Sequence, residues 1–393
     1  MKDEKDIGSR LREIAKTFSD DAYKEDCSNN FLGDSSGAVL FLLHYARQHG
    51  DETVLPKAAD LFAKVAHAYN SGYAYPPSLA KFLFMASHAK ELGQIEVDEY
   101  PEEDLKLLQS YLRRTASMFY KDRNFDILHG GLGNGIFLFK SRDLPGIREM
   151  VEGVGSLAEE DKRGLKWYSL TGYKENKWTY NLGFAHGMPS IVAMLSKVYL
   201  MGVECERCAE LIEGAVNYIL AQKLPKGNHT SVFGNYALES LEQPHSSRLA
   251  WCYGDLGIAV ALWRASQALG RKDWESEAKA LLRHASIRRD LKENGVMDAC
   301  FCHGTSGIAH IFNRMWRMTG MPECKDAAAY WIGQTLSLAK FEDGLAGYKT
   351  WQGAERGFRN EYGLLEGIAG IGLVLLAYLS DEEPTWDECL LLS

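Results

Sequence analysis

The feature that most constrains the fold is a small turn, usually rich in glycine, that recurs along the chain and precedes an apolar stretch each time. Five copies align on the first glycine of the turn, which is Gly130, Gly187, Gly254, Gly304 or Gly367. The steps between these glycines are 57, 67, 50 and 63 residues. Asp34 takes the same place in an earlier copy, and a degenerate copy begins at Tyr75. Seven copies correspond to a unit of about 56 residues, which is typical of a repeat architecture.

Each unit has the pattern of two helices. In the unit that starts at Gly254, the stretch 258–269 is almost wholly apolar, which predicts a helix buried on most sides and ended by Gly270. The following stretch, 271–285, predicts an amphipathic helix. Its apolar residues have the spacing i, i+4, i+7, i+8 and are Trp274, Ala278, Leu281 and Leu282.

Seven such pairs predict an all-α fold, an α/α toroid in which a ring of seven inner helices lies within a ring of seven outer helices. We expect one domain over residues 1–393. An open solenoid is the alternative, and it would need a polar capping repeat at each end. The last copy is instead among the most apolar, which favours a closed ring.

One segment departs from this helical pattern. Residues 165–181 alternate in polarity and are rich in Trp, Tyr and Thr around a polar turn. This pattern is typical of a β-hairpin. We therefore predict a small β-hairpin insertion between the third and fourth units.

Charge and hydropathy exclude several classes of protein. The formal charge is −9 and no basic stripe is present, so we expect no nucleic acid partner. The charged N-terminus lacks the apolar region of a secretory signal. The longest apolar run, 363–379, contains Glu366 and four glycines and is shorter than the roughly 20 residues of a membrane span. These features predict a cytoplasmic protein with a buried helix in this run.

Cysteine and histidine occupy equivalent positions in several turns. Cys252 and Cys302 each precede the aligned glycine by two residues, and His186 and His303 each precede it by one. In a closed ring the equivalent turns face the same end. The repeat register therefore predicts that these four side chains converge, although they are distant in sequence.

Two thiolates and one imidazole are a suitable ligand set for zinc. We predict one Zn²⁺ per chain, held by Cys252, Cys302 and His303. Three protein ligands leave the fourth tetrahedral position open, as in catalytic zinc sites. Cys300, two residues before Cys302, is the alternative ligand, and Asp126 is its equivalent in the third unit.

The residues of these turns resemble one known family, the lanthionine synthetase C cyclases. The resemblance extends over the whole chain and rests on four stretches, Ser247–Gly257 (SRLAWCYGDLG), Cys302–Gly307 (CHGTSG), Ala185–Gly187 (AHG) and Gly367–Gly372 (GIAGIG). It implies an α/α toroid with zinc bound by two cysteines and one histidine. The implied reaction is the Michael addition of a peptide cysteine thiol to dehydroalanine or dehydrobutyrine, which forms a lanthionine or methyllanthionine ring.

The resemblance also implies roles for side chains that are not zinc ligands. His186 matches the general acid/base of the family, which delivers a proton after the thiol has added. Asp126, Arg248 and Tyr253 match further polar positions of the active site. From these matches we expect an ion pair between Asp126 and Arg248 and a hydrogen bond from Tyr253 near the enolate. His129 has the register of His186 and is an alternative proton carrier.

The implied substrate is a dehydrated precursor peptide. A separate dehydratase would act first, and a complex with it and with a peptide exporter would bring the protein to the membrane surface. One alternative is the branch that adds glutathione to dehydroamino acids in proteins. Another is a non-catalytic, zinc-containing scaffold that binds peptides, against which His186 argues. A third alternative is a toroidal glycosidase or prenyltransferase. A glycosidase would need paired carboxylates, whereas these turns have Cys and His.

Overall fold

The computed structural model describes residues 2–20, 22–172 and 177–393. These residues form two compact units. One unit joins the chain up to Glu99 with Val296–Leu391, and the other is Tyr100–Gly295. The described residues contain fourteen α-helices, namely α1 Lys2–Ser19, α2 Ser36–His49, α3 Leu55–Ser71, α4 Pro76–Leu92, α5 Glu102–Lys121, α6 Gly131–Lys140, α7 Leu144–Ser156, α8 Met188–Leu200, α9 Cys205–Leu220, α10 Asp255–Leu269, α11 Lys272–Ser286, α12 Thr305–Thr319, α13 Pro322–Ser337 and α14 Ile368–Leu379.

Buried and amphipathic helices alternate along the chain. The even-numbered helices are buried over most of their length, and α10 has the composition predicted for an inner helix. The odd-numbered helices bury one face only, and in α11 that face consists mainly of the four apolar residues predicted from their spacing. The helix α10 ends at Gly270, whose φ of 68° lies in the left-handed region that favours glycine. The predicted pairing of inner and outer helices is therefore confirmed.

The order of the pairs differs from the prediction at the chain ends. The last apolar helix, α14, has no α-helix after it, and α1 at the N-terminus packs against both α14 and α13. Four side chains of α1 are completely buried at helical spacing, namely Ile7, Leu11, Ile14 and Phe18. The helix α1 thus acts as the outer partner of the inner helix α14. Each helix has an apolar surface, and their contact removes both surfaces from water.

The aligned glycines are the N-cap residues of five inner helices. They are Gly130 for α6, Gly187 for α8, Gly254 for α10, Gly304 for α12 and Gly367 for α14. A Cβ atom at Gly367 would lie 2.2 Å from the backbone nitrogen of Gly363, and one at Gly304 would lie 2.4 Å from that of Cys300. The preceding loop leaves no room for a side chain, which explains why glycine recurs there.

A backbone hydrogen bond closes this loop in four of the turns. The first residue of the helix donates its N–H to a carbonyl seven residues earlier. The pairs are Gly131 with Asn124 (3.0 Å), Met188 with Asn181 (3.1 Å), Thr305 with Asp298 (3.1 Å) and Ile368 with Glu361 (3.1 Å). The bond satisfies a helical N–H that has no partner within the helix. It also holds the residues just before the glycine at the N-terminus of the inner helix.

The predicted β-hairpin is present, with one additional strand. β1 Ala158–Asp161, β2 Gly164–Gly172 and β3 Lys177–Tyr180 form an antiparallel sheet in this order. Residues 173–176, which fall within the predicted hairpin, lie outside the described residues. The indole of Trp167 donates to the carbonyl of Val154 at 2.9 Å and so ties the sheet to α7. A short second hairpin, β4 Thr350–Trp351 with β5 Phe358–Arg359, was not predicted.

The apolar run near the C-terminus forms α14, which has 12 residues and is buried in the core. No helix of the described residues combines the length and the apolar character needed to cross a membrane.

Candidate active site

The loops before α6 and α8 bring two predicted site residues into direct contact. The Nδ1 atom of His186 lies 2.5 Å from Oδ2 of Asp126. The other carboxylate oxygen, Oδ1, accepts the backbone N–H groups of Leu128 at 2.6 Å and of His129 at 3.0 Å. The loop therefore holds the carboxylate, and the carboxylate orients the imidazole. Because Nδ1 of His186 faces Asp126, the Nε2 atom of His186 is the ring nitrogen that can exchange a proton with a substrate.

Burial and charge act in opposite directions on this pair. Burial alone would raise the pKa of Asp126, but the charge and hydrogen bond of His186 hold that pKa below its ordinary value. Burial alone would lower the pKa of His186, but the charge and hydrogen bond of Asp126 raise it above 6.5. The pair therefore favours a protonated imidazole beside an ionised carboxylate, the state required of a general acid.

The expected ion pair between Asp126 and Arg248 is wrong. Both oxygens of the carboxylate are engaged by the histidine and by two backbone N–H groups of its own loop. Arg248 lies in the loop before α10, where its carbonyl packs against the N-cap Gly254, and its guanidinium forms no ion pair with a described residue. Asp126 thus contacts His186 and not Arg248.

The rings of Tyr253 and His129 lie next to the imidazole of His186. The ring of Tyr253 lies 6.0 Å from that of His186, and its hydroxyl accepts a hydrogen bond from Nδ2 of Asn181 at 3.1 Å. Burial raises the pKa of Tyr253, so its hydroxyl keeps its proton and can donate a hydrogen bond. The ring of His129 stacks on His186 with centroids 6.3 Å apart. His129 therefore lies close enough to remain an alternative proton carrier.

The three predicted zinc ligands are divided between the two compact units of the fold. Each of them precedes the glycine N-cap of an inner helix. Cys252 is buried in the same unit as His186, and its charge is among the causes that raise the pKa of His186. In the other compact unit, Cys302 is buried and donates its backbone N–H to the carbonyl of Leu365 at 3.0 Å. The side chain of His303 is partly exposed. The eight cysteines are all described and form no disulfide with one another.

Asp298 is a site residue that the sequence analysis missed. Its Oδ2 lies 3.9 Å from Nε2 of His303, and its carboxylate accepts the N–H groups of Cys300 at 2.9 Å and Trp351 at 2.7 Å. It lies beside the imidazole of His303 but beyond hydrogen-bond distance, the neighbourhood in which carboxylates commonly stand at metal-binding histidines. Its register was a usable signal, because it stands six residues before the glycine, where Asn124 stands in the third unit.

Cys300, the alternative ligand, forms a group with Asp298 and His303 in which the potential ligand atoms lie within 4.8 Å of one another. Burial raises the pKa of the Cys300 thiol well above its usual value. Without a metal ion, the thiol therefore stays protonated beside Asp298. Both residues are held in the loop that leads to Cys302 and His303.

Comparisons with known proteins identify the family and the fold of the chain. A family model described as "Lanthionine synthetase C-like protein" matches residues 34–391. The chain is 20% identical to the nisin biosynthesis protein NisC of Lactococcus lactis subsp. lactis, over 100% of this chain and 97% of that protein. The solved structure of a nisin cyclase has a TM-score of 0.74 at 18% identity and covers 99% of this chain and 98% of its own. The predicted α/α toroid is thereby confirmed, and the chain belongs to the lanthionine synthetase C-like family.

Proposed function

We propose that this protein is a zinc-dependent lanthipeptide cyclase. It adds cysteine thiols of a dehydrated precursor peptide to dehydroalanine or dehydrobutyrine and so forms lanthionine or methyllanthionine rings. The observation that carries the proposal is the Asp126–His186 pair, a proton donor held beside Cys252 in a member of this family. The names of the two similar proteins, a nisin biosynthesis protein and a nisin cyclase, support the same chemistry.

The residues present fit one zinc ion. Cys252, Cys302 and His303 supply two thiols and one imidazole, a donor set that suits zinc and leaves a fourth position for a substrate thiol. Each lies at the N-terminus of an inner helix, where the helix dipole favours a thiolate. Their common register in a ring of equivalent units supports a shared site. When bound, zinc would lower the pKa of the substrate thiol enough for it to react as a thiolate.

The side chains of the protein then direct the proton. Addition of sulfur to the β-carbon leaves the α-carbon in need of a proton, and His186 supplies it from Nε2 while Asp126 holds Nδ1. Tyr253, which keeps its proton, donates a hydrogen bond to the substrate. We retain Arg248 as a cation that faces the substrate, a role that rests on its match to the family.

The partners follow from the chemistry of the electrophile. A thiol adds only to an activated alkene, so an unmodified Ser/Thr precursor should not react. We propose that a separate dehydratase supplies the dehydrated peptide to a cytoplasmic cyclase. A complex that also contains a peptide exporter would bring the cyclase to the membrane surface.

The test uses purified protein and a precursor peptide that has already been dehydrated. Because cyclisation leaves the mass unchanged, free thiols are counted by alkylation followed by mass spectrometry. The wild-type protein should remove the peptide thiols, and His186→Ala should keep its zinc and slow ring closure by roughly 10²–10⁴-fold.

Three outcomes would contradict parts of this assignment. Peptide thiols that persist while added glutathione is consumed would indicate the glutathione-adding branch of the family. Loss of zinc from His186→Ala would make His186 a ligand. Full rate in that variant would transfer proton delivery to His129 or water.

A further inference from the structure

A cavity of about 170 Å³ lies beside the Asp126–His186 pair. It is lined on one side by the loop before α6, which includes Arg123, and on the other by the β2–β3 hairpin, which includes Ser169. The hairpin is the insertion that interrupts the helical repeats. The insertion therefore forms a wall of the compartment in which His186 would protonate a substrate.

Ser169 is directed toward the body of the protein. Side chains alternate between the two faces of a strand, and Ser169 shares its face with Trp167 and with Thr179, its neighbour on β3. All three residues are buried, and Ser169 itself is 7% exposed. Its hydroxyl has no hydrogen-bond partner among the described residues. A buried polar group without a partner costs free energy, so this hydroxyl is suited to a bond that a ligand completes.

Arg123, which also lines this cavity, carries a second donor. Its Nη2 atom pairs with Glu159 on β1, and Glu159 also accepts the hydroxyl of Tyr180 at 2.8 Å. The sheet thus holds one end of the guanidinium. The Nε atom is buried and has no hydrogen-bond partner among the described residues. Two residues that line the cavity therefore carry an N–H or O–H donor that has no partner in the described part of the chain.

The chemistry of thiol addition creates an acceptor close to His186. As the C–S bond forms at the β-carbon, the electron pair of the C=C bond moves through the α-carbon onto the carbonyl oxygen of the same residue. Protonation of the α-carbon by His186 then restores the carbonyl. The oxygen that becomes negative is two bonds from the atom that accepts the proton, so it must lie in or next to the compartment beside His186.

We infer that Ser169 and Arg123 form an oxyanion-binding subsite, an inference that rests on the proposed function. The hydroxyl of Ser169 and the Nε–H of Arg123 donate to the carbonyl oxygen of the dehydroamino acid residue. They bind it most strongly when it carries negative charge, because donors already held in place stabilise a developing charge without reorganisation. The hairpin insertion thereby contributes directly to the reaction.

The test compares Ser169→Ala with Ser141→Ala in the thiol-counting assay on dehydrated peptide. Ser141 is a matched control, because its hydroxyl is also buried without a described partner but lies at the end of α6, outside the cavity. We expect Ser169→Ala to lower kcat by about 10²-fold, as the loss of one oxyanion donor does. KM, zinc content and Tm should stay near the wild-type values. Arg123→Lys, which keeps the charge but removes Nε–H, should also lower kcat.

Three results would overturn the inference. The first is a kcat for Ser169→Ala equal to that of Ser141→Ala. The second is an effect of Ser169→Ala on KM alone, which would mean that the hydroxyl binds ground state and transition state equally. The third is wild-type protein that leaves the peptide thiols unreacted, which would overturn the proposed function as well. The first two results, with an active wild type, would leave the proposed function intact.

Discussion

The imidazole of His186 and the carboxylate of Asp126 lie 2.5 Å apart although 60 residues separate them in the chain. This contact raises the pKa of the histidine in a place where burial alone would lower it. It also fixes which ring nitrogen faces the carboxylate. The pair therefore determines both the charge and the orientation of the proposed proton donor.

Replacement of Asp126 by Asn should impair the protonation of His186 without affecting the binding of zinc. The amide can still accept the two loop N–H groups, but it cannot stabilise a protonated imidazole. We expect Asp126→Asn to retain zinc and fold while ring closure slows by at least about 10²-fold. The rate is measured by counting thiols, and zinc by elemental analysis.

Asp122→Asn is the control, since Asp122 also lines the cavity but forms no hydrogen bond or ion pair with His186 among the described residues. It should cyclise the peptide at the wild-type rate. Equal rates for Asp126→Asn and Asp122→Asn would show that the contact with Asp126 does not matter for proton delivery.

Zinc content tests the proposed ligands. The purified protein should hold about one zinc per chain, and Cys252→Ala and Cys302→Ala should each lose most of it, because two donors hold the ion poorly. Cys300→Ser is the matched control and should retain the metal. Full retention by both alanine variants, or loss from Cys300→Ser, would require a different ligand set that includes Cys300.

The glycine N-caps should tolerate no side chain. In Gly367→Ala the new Cβ would meet backbone atoms at 2.2 Å, so we expect a loss of more than about 2 kcal/mol in the free energy of unfolding. Gly333→Ala is the control, because nothing lies near its Cβ position within α13. That variant should gain about 0.5–1 kcal/mol from better helix propensity. Urea unfolding measures both, and equal stabilities would refute the steric explanation of the repeat.

The histidine pair between α2 and α4 should make the protein sensitive to acid. The Nε2 atoms of His44 and His88 lie 2.9 Å apart. Burial, with added repulsion from His88 and Arg47, lowers the pKa of His44 to about 3. Below pH 6.5 the unfolded chain binds a proton here that the folded chain does not, so stability falls as the pH falls. Between pH 7 and pH 5 this loss amounts to about 2 kcal/mol.

His44→Gln should remove this part of the acid sensitivity. We expect the difference in unfolding free energy between pH 7 and pH 5 to shrink by about 2 kcal/mol. The exposed His67 on α3 provides the control, and His67→Gln should leave the difference unchanged. Urea unfolding at the two pH values checks this, and an unchanged difference in His44→Gln would contradict the assignment.

Local patterns in the sequence determined the helices and their starting points. The apolar runs and the amphipathic spacing identified inner and outer helices, and the recurring glycine marked five of the N-caps. These features depend on interactions among residues close in the chain, where propensity, spacing and steric room are readable from the letters. The alternating segment identified the hairpin for the same reason.

Only the tertiary structure decided which side chains meet. It paired Asp126 with His186 instead of Arg248 and placed α1 against α14. It also left the hydroxyl of Ser169 without a partner among the described residues, in the cavity wall beside the proposed proton donor. The register of a repeat predicts which turns are equivalent, but it does not predict which atoms come within hydrogen-bond distance. That depends on how loops pack across tens of residues of sequence, and a shift of a few ångströms is enough to exchange one partner for another.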